Sequence, residues 1–124
     1  MDKVLWISIG AVLGANLRYW VGDWAAQRFG SSFPYGTLLI NLSGSFLLGL
    51  IVSVNMENFI IDPRLRLLLT IGFLGSYTTF STYAYESIAI ISQGQWGLGL
   101  FNLLGSSLLG ALFAILGIWL GKVL

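Results

Sequence analysis

From Trp96 to Leu120 the chain runs twenty-five residues without a charged side chain, and from Gly36 to Val54 another nineteen. Crossing a hydrocarbon core about 30 Å thick takes about 20 apolar residues as a helix. Two further stretches are nearly as clean: Val4 to Val21, interrupted by Arg18, and Leu65 to Ile91, carrying Arg66 and Glu86. In lipid each backbone polar group has to be satisfied within its own segment, so stretches of this kind are helices. The expected fold is an all-α integral membrane protein of four transmembrane helices in one domain over 1–124, with spans at 4–28, 35–55, 65–91 and 96–122. Charged residues make up only 9% of the chain, against roughly a quarter in soluble domains, which leaves no polar surface for a soluble globule.

The connections are short. Phe29 to Tyr35 contains Gly30 and Pro34, Asn55 to Pro63 carries Glu57 and Asp62, and Ser92 to Gln95 is a polar turn. Asp2 and Lys3 ahead of an apolar run look like the start of a signal peptide. Asn16 to Trp20 follow instead of a small-residue cleavage site, so the segment is expected to stay as a helix. An even number of spans puts Lys3, Arg64, Arg66 and Lys122 on one side, and Arg28 with the deeper Arg18 on the other. Under the positive-inside rule this is a weak bias, compatible with insertion in both orientations.

Composition excludes much chemistry. With no Cys and no His, disulfides, thiol redox, His acid–base catalysis and the commonest zinc, haem and iron–sulfur sites are absent. A net charge of +1 offers no footprint for nucleic acid. The carboxylates are scattered near span ends, so no catalytic constellation assembles and the chain is not expected to be an enzyme. A small dual-topology drug exporter would need a carboxylate embedded in the first span. Here the first after Asp2 is Asp23, at that span's end.

Sixteen glycines invite a packing role, because small residues let membrane helices approach closely. Gly10 and Gly14, Ser45 and Gly49, Ser106 and Gly110, and Gly117 and Gly121 all show that spacing. A purely structural subunit would account for these pairs but not for the polar residues. Asn41 lies mid-span with Ser45 one turn on, and Asn102 with Ser106 repeats the spacing. Each Asn either bonds a neighbouring helix or lines an aqueous path, since an unpaired amide in hydrocarbon costs several kcal/mol.

The third span is the anomaly. From Gly75 to Thr82, six of eight residues carry hydroxyls. Thr78 and Thr79 are stiff at the β-carbon, and Gly72 and Gly75 weaken the helix just before them. The third helix is therefore expected to break in mid-membrane, which is tolerated only against protein or a water-filled cavity. A break frees carbonyls, which suit a hard cation, and amides, which suit an anion. Arg18 is either a headgroup anchor or a source of positive potential at the mouth of an anion path. Glu86 reads as a boundary carboxylate in water rather than a proton relay.

Three motifs carry a resemblance: Gly10-Ala-Val-Leu-Gly-Ala-Asn-Leu-Arg18-Tyr19; Gly36-Thr37 through Asn41 with Gly44 and Gly49; and Gly72-Phe-Leu-Gly75 leading into Thr78-Thr79-Phe80-Ser81-Thr82. With these the chain resembles the Fluc (CrcB-type) fluoride channels over nearly its full length. The resemblance implies a fluoride-selective channel of the bacterial inner membrane that exports cytoplasmic fluoride passively. It implies an antiparallel, dual-topology homodimer with two pores, each built from both subunits, and no soluble partner. A structural sodium ion (Na+), not transported, would sit at the dimer centre on the backbone carbonyls of Gly75 and Thr78. The pore residues implied are Asn41, Phe80, Ser81, Thr82, Tyr83, Asn102 and Ser106, with Arg18 in the vestibule. Tyr83 stands where the family usually has Phe, and Asn102 where some relatives have an aromatic hydroxyl. Neutral donors suit a small, strongly hydrated anion that has to shed water and then leave, and aromatic rings present a positive edge to it.

Overall fold

The computed structural model describes residues 2–57 and 61–124. Residues 58–60 of the second connection therefore lie outside it, as do the side chains of 55–57, Glu57 included. Every regular element described is helical: α1 (Asp2–Phe29), α2 (Tyr35–Glu57), α3 (63–77), α4 (Ser81–Ser92) and α5 (Trp96–Val123). Among the described residues three helices are long and apolar enough to cross a membrane by length and composition, namely Asp2–Phe29, Tyr35–Val54 and Trp96–Val123. The third apolar stretch is divided between α3 and α4.

Local chemistry sets the ends. Gly30, at φ +86°, takes the left-handed conformation that closes α1, and its amide bonds the Ala26 carbonyl at 3.0 Å. Asp62 caps α3 by accepting from the Arg64 amide at 2.8 Å, with Pro63 in the first turn where its missing N–H costs nothing. Gly94, at φ +88°, makes the tight turn between α4 and α5.

Two backbone-to-backbone seams assemble the bundle. Along α2 and α5, a Cβ on Gly117 would fall 2.1 Å from the Phe46 carbonyl oxygen, and one on Gly49 would fall 2.5 Å from that of Ala114. Between α1 and α3, a Cβ on Gly10 would fall 2.1 Å from the Leu68 oxygen, and one on Gly14 equally close to that of Phe73. Only glycine fits at these crossings, so the expected packing role of Gly10, Gly14, Gly49 and Gly117 has a specific partner in each case. The α3 side of its seam is wound as a π-helix over Leu68–Leu74, and α5 has a second π segment at Phe101–Gly105. Such local widening displaces carbonyls from the regular ladder and is frequent at functional sites.

The buried core is small: Ile40, Leu74 and Tyr77, with Leu17, Val21, Ile51 and Phe73 packed around them. Most large apolar side chains point outward, Phe80, Leu108, Trp20 and Leu104 among them. This inverted surface suits lipid and protein neighbours rather than water.

Candidate functional site

The break lies between α3 and α4. Thr78 leaves the helix with φ −80° and ψ 158°, and helix resumes at Ser81. Interrupting the ladder exposes peptide groups that need other partners. Side chains from other helices supply several. Asn41 on α2 takes the Thr79 peptide edge-on: its Oδ1 accepts from the Thr79 amide at 2.9 Å, and its Nδ2 donates to the Thr79 carbonyl at 3.0 Å. A primary amide matches a peptide edge in this way because it carries donor and acceptor side by side. Arg18 on α1 donates from Nε to the Ser76 carbonyl at 3.0 Å, placing a cation at the negative end of the α3 dipole. The Thr78 hydroxyl and amide both donate to Leu74 O, each at 3.0 Å, and the Thr79 hydroxyl accepts from the Thr82 amide at 3.3 Å.

This distribution leaves a residue. The carbonyls of Gly75, Tyr77 and Thr78 receive no hydrogen bond from any described residue. No cluster of His, Cys, Asp or Glu able to hold a metal occurs among the described residues. The free donors at the break are thus neutral backbone oxygens, a set that fits a hard monovalent cation such as sodium.

Two cavities flank the clamped peptide. One, of about 500 Å³, is lined by Asn41, Ser45, Gly75, Thr78, Phe80, Tyr83, Ser106, Ser107 and Gly110 among others. The other, of about 820 Å³, is lined by Arg18, Asp23, Thr37, Thr82, Glu86 and the polar turn residues Gln93 and Gln95 among others. Thr79 belongs to both linings, so the residue whose peptide Asn41 holds lies between the two cavities. In the second cavity the Thr37 hydroxyl donates to the Glu86 carboxylate at 2.6 Å, tying α2 to α4. In the first, the rings of Phe80 and Tyr83 lie 6.0 Å apart and tilted by 52°. Phe80 is 80% exposed, and the Tyr83 hydroxyl donates to the Leu103 carbonyl in the π segment of α5.

A family model described as "CrcB-like protein, Camphor Resistance (CrcB)" matches residues 5–118. The chain belongs to the CrcB family. Relatives named "Fluoride-specific ion channel FluC" cover nearly the whole chain. The one from Koribacter versatilis is 50% identical over 115 residues, 93% of this chain and 90% of the relative. That from Chloroflexus aurantiacus is 43% identical over 122 residues, 98% of this chain and 97% of its own. A third, from Geotalea uraniireducens, is 40% identical over 124 residues, the full length of both. These CrcB relatives are channels by name and not enzymes, and with the apolar helices they make this chain a multi-pass membrane protein.

Within this CrcB chain the ten candidate residues separate into three groups. Asn41, Gly75, Thr78, Phe80, Tyr83 and Ser106 line the first cavity. Arg18 and Thr82 line the second. Ser81 and Asn102 line neither cavity. Ser81 is exposed at the start of α4, whereas Asn102 is only 2% exposed. Asn102 donates to the Ser87 hydroxyl at 2.7 Å and accepts from Ser106 at 2.8 Å, and Ser87 donates to the Tyr83 carbonyl at 2.8 Å. That chain of bonds joins α4 to α5.

Thr79, Ser45, Thr37 and Ser107 line the cavities without having been candidates. Ser45 carried a signal in its spacing from Asn41. Thr79 carried one in the hydroxyl run. Nothing in the sequence pattern singles out Ser107.

Proposed function

We propose that this protein is a fluoride-selective channel that lets cytoplasmic fluoride leave passively down its electrochemical gradient. The observation that carries the reading is the helix break at Thr79, a residue that lines both cavities and whose peptide is held by Asn41. The name shared by relatives 40–50% identical supports fluoride as the ion.

Fluoride would enter the larger cavity, where Arg18 lends positive potential without projecting into the narrow path. It would then pass Thr79 into the groove beside Phe80 and Tyr83. Hydroxyl and amide hydrogens there replace water one at a time, and ring edges offer weak attraction. Neutral donors hold an anion loosely enough to release it. A fixed guanidinium in the narrow path would hold it too well.

Four crossings complete the topology, the third made by α3 and α4 together. The functional unit is an antiparallel, dual-topology homodimer with a pair of pores in the bacterial inner membrane. The open groove, the exposure of Phe80 and the weak bias of Lys and Arg between the two sides support that assembly. The carbonyls of Gly75 and Thr78 would hold a structural sodium ion. Bound there, the ion would add positive potential and cross-link subunits.

The test is fluoride efflux from liposomes reconstituted with the purified protein, with chloride as the control anion. Fluoride release far above protein-free vesicles with chloride retained is expected. Equal passage of both ions refutes selectivity, and no release refutes the channel.

A further inference from the structure

Which groups touch an anion in the first cavity follows from where each polar hydrogen already goes. Thr70 gives its hydroxyl hydrogen to Arg66 O at 2.8 Å, and Thr78 to Leu74 O at 3.0 Å. Ser106 gives its own to Asn102 Oδ1 at 2.8 Å, and Tyr83 to Leu103 O. The Ser107 hydroxyl bonds the same Leu103 carbonyl at 2.8 Å. These groups are satisfied inside the protein, and turning one toward an ion breaks a bond already made. Ser45 differs. Its hydroxyl has no hydrogen-bond partner among the described residues, although a helical serine commonly bonds back one turn. Its oxygen is not sealed in, because no buried polar side-chain atom lacks a partner among the described residues.

The space in front of Ser45 is built by α5. A Cβ placed on Gly110 would meet only one atom within 4 Å, the Ser45 oxygen at 3.9 Å. Unlike Gly49 or Gly117, Gly110 is not needed for backbone contact. Its missing side chain leaves room opposite an uncommitted donor, one helical turn from Asn41 on the same face of α2.

We propose that the Ser45 hydroxyl is an anion-contacting donor of the groove, binding a small, hard, hydrogen-bond-accepting anion in the space left by Gly110. The role rests on the channel reading above, with fluoride as that anion. A hydrogen bond to an ion is roughly twice as strong as one between neutral groups, so its loss is legible in flux.

The experiment compares wild type, Ser45→Ala, Ser45→Thr and Ser106→Ala in the liposome efflux assay, with elution of each purified protein in detergent as the folding control. Ser45→Ala is expected to slow fluoride efflux about tenfold, with elution unchanged. Ser45→Thr, which keeps the hydroxyl, should stay within about threefold of wild type. Ser106→Ala should fall less than Ser45→Ala, because its hydrogen is spent on Asn102. If Ser45→Ala fails to fold, Ser45→Cys is read in its place, having the same shape and a weaker donor. A folded Ser45 variant without the hydroxyl that conducts at the wild-type rate overturns the role of Ser45 and leaves the channel standing. Wild-type protein that releases no fluoride overturns both.

Discussion

Removing the Asn41 amide separates a pore donor from a structural clamp. In the structure the acceptor and one N–H of that amide go to one peptide, Oδ1 to the Thr79 N–H at 2.9 Å and Nδ2 to the Thr79 carbonyl at 3.0 Å, leaving the second Nδ2 hydrogen for the path. Asn41→Ala leaves both Thr79 peptide groups without a protein partner, and water in the adjoining cavities replaces only part of what is lost. A hydrogen bond in a protein is worth about 0.5–1.5 kcal/mol net, so the pair is worth about 1–3 kcal/mol. Set against a typical stability of about 5–15 kcal/mol, that loss is large. Asn41→Ala is thus expected to lower the unfolding temperature markedly as well as stopping fluoride efflux. Asn41→Asp keeps the acceptor for the Thr79 amide but turns a carboxylate oxygen toward the Thr79 carbonyl with no hydrogen between them. It also sets a negative charge in an anion path, so its efflux should be nearly abolished. A protonated carboxyl again offers one donor and one acceptor. The unfolding temperature of Asn41→Asp should therefore rise toward wild type as pH falls through the titration of that carboxyl, relative to wild type at each pH. Asn41→Ala should show no such recovery. Unfolding followed by intrinsic fluorescence in detergent measures stability, and liposome efflux measures flux. Wild-type stability in Asn41→Ala would refute the clamp even if conduction were lost.

The remaining expectations concern the rings and the cation. Phe80→Ile should slow fluoride efflux while leaving the assembled protein intact on size exclusion, because Ile keeps an apolar side chain at that exposed position; a wild-type rate would remove the ring edge from the path. Tyr83→Phe deletes a hydroxyl whose carbonyl partner keeps a bond from Ser107, so its stability cost should fall near the low end of about 0.5–1.5 kcal/mol, measured by thermal unfolding. A loss above about 3 kcal/mol would show that the Tyr83 bond holds α4 to α5 on its own. Exchanging sodium for a large organic cation during purification should lower the unfolding temperature, and adding sodium back should restore it, since a ligand bound only to the native state stabilises by mass action. Indifference to a sodium titration would remove the cation from the Gly75 and Thr78 carbonyls.

Much of the helical layout was legible because lipid demands long apolar helices and the exceptions are conspicuous. The stretches read as 4–28, 35–55 and 96–122 lie within α1, α2 and α5. The break fell inside the predicted hydroxyl-rich run because β-branched pairs and glycines weaken a helix wherever they occur. The π segments were not legible. They depend on how closely α1 and α4 approach, and that distance is a property of the partner helix as much as of Leu68–Leu74 or Phe101–Gly105. Helix rotation was equally hidden. A soluble helix shows which side faces inward by where it is polar, but these helices are apolar almost all round. Ser81 and Thr82 looked interchangeable as donors, yet consecutive helical residues point about 100° apart, and only Thr82 lines a cavity.

The two Asn-xxx-Ser stripes show why polarity in a membrane chain predicts a partner without naming it. Asn41 and Asn102 have the same need for hydrogen bonds and the same serine one turn on. Their surroundings separate them. α2 passes the break, so Asn41 meets an unpaired peptide and bonds it, leaving Ser45 uncommitted above it. α5 passes intact helix at Ser87, so Asn102 finds only side chains and recruits Ser106 to satisfy its own oxygen. One stripe therefore ends in a free donor on a cavity and the other in a closed network. The difference arises at Thr78, a third position that neither stripe contains. A hydroxyl in a membrane helix is thus available to an ion only when the nearest backbone defect has been satisfied by something else.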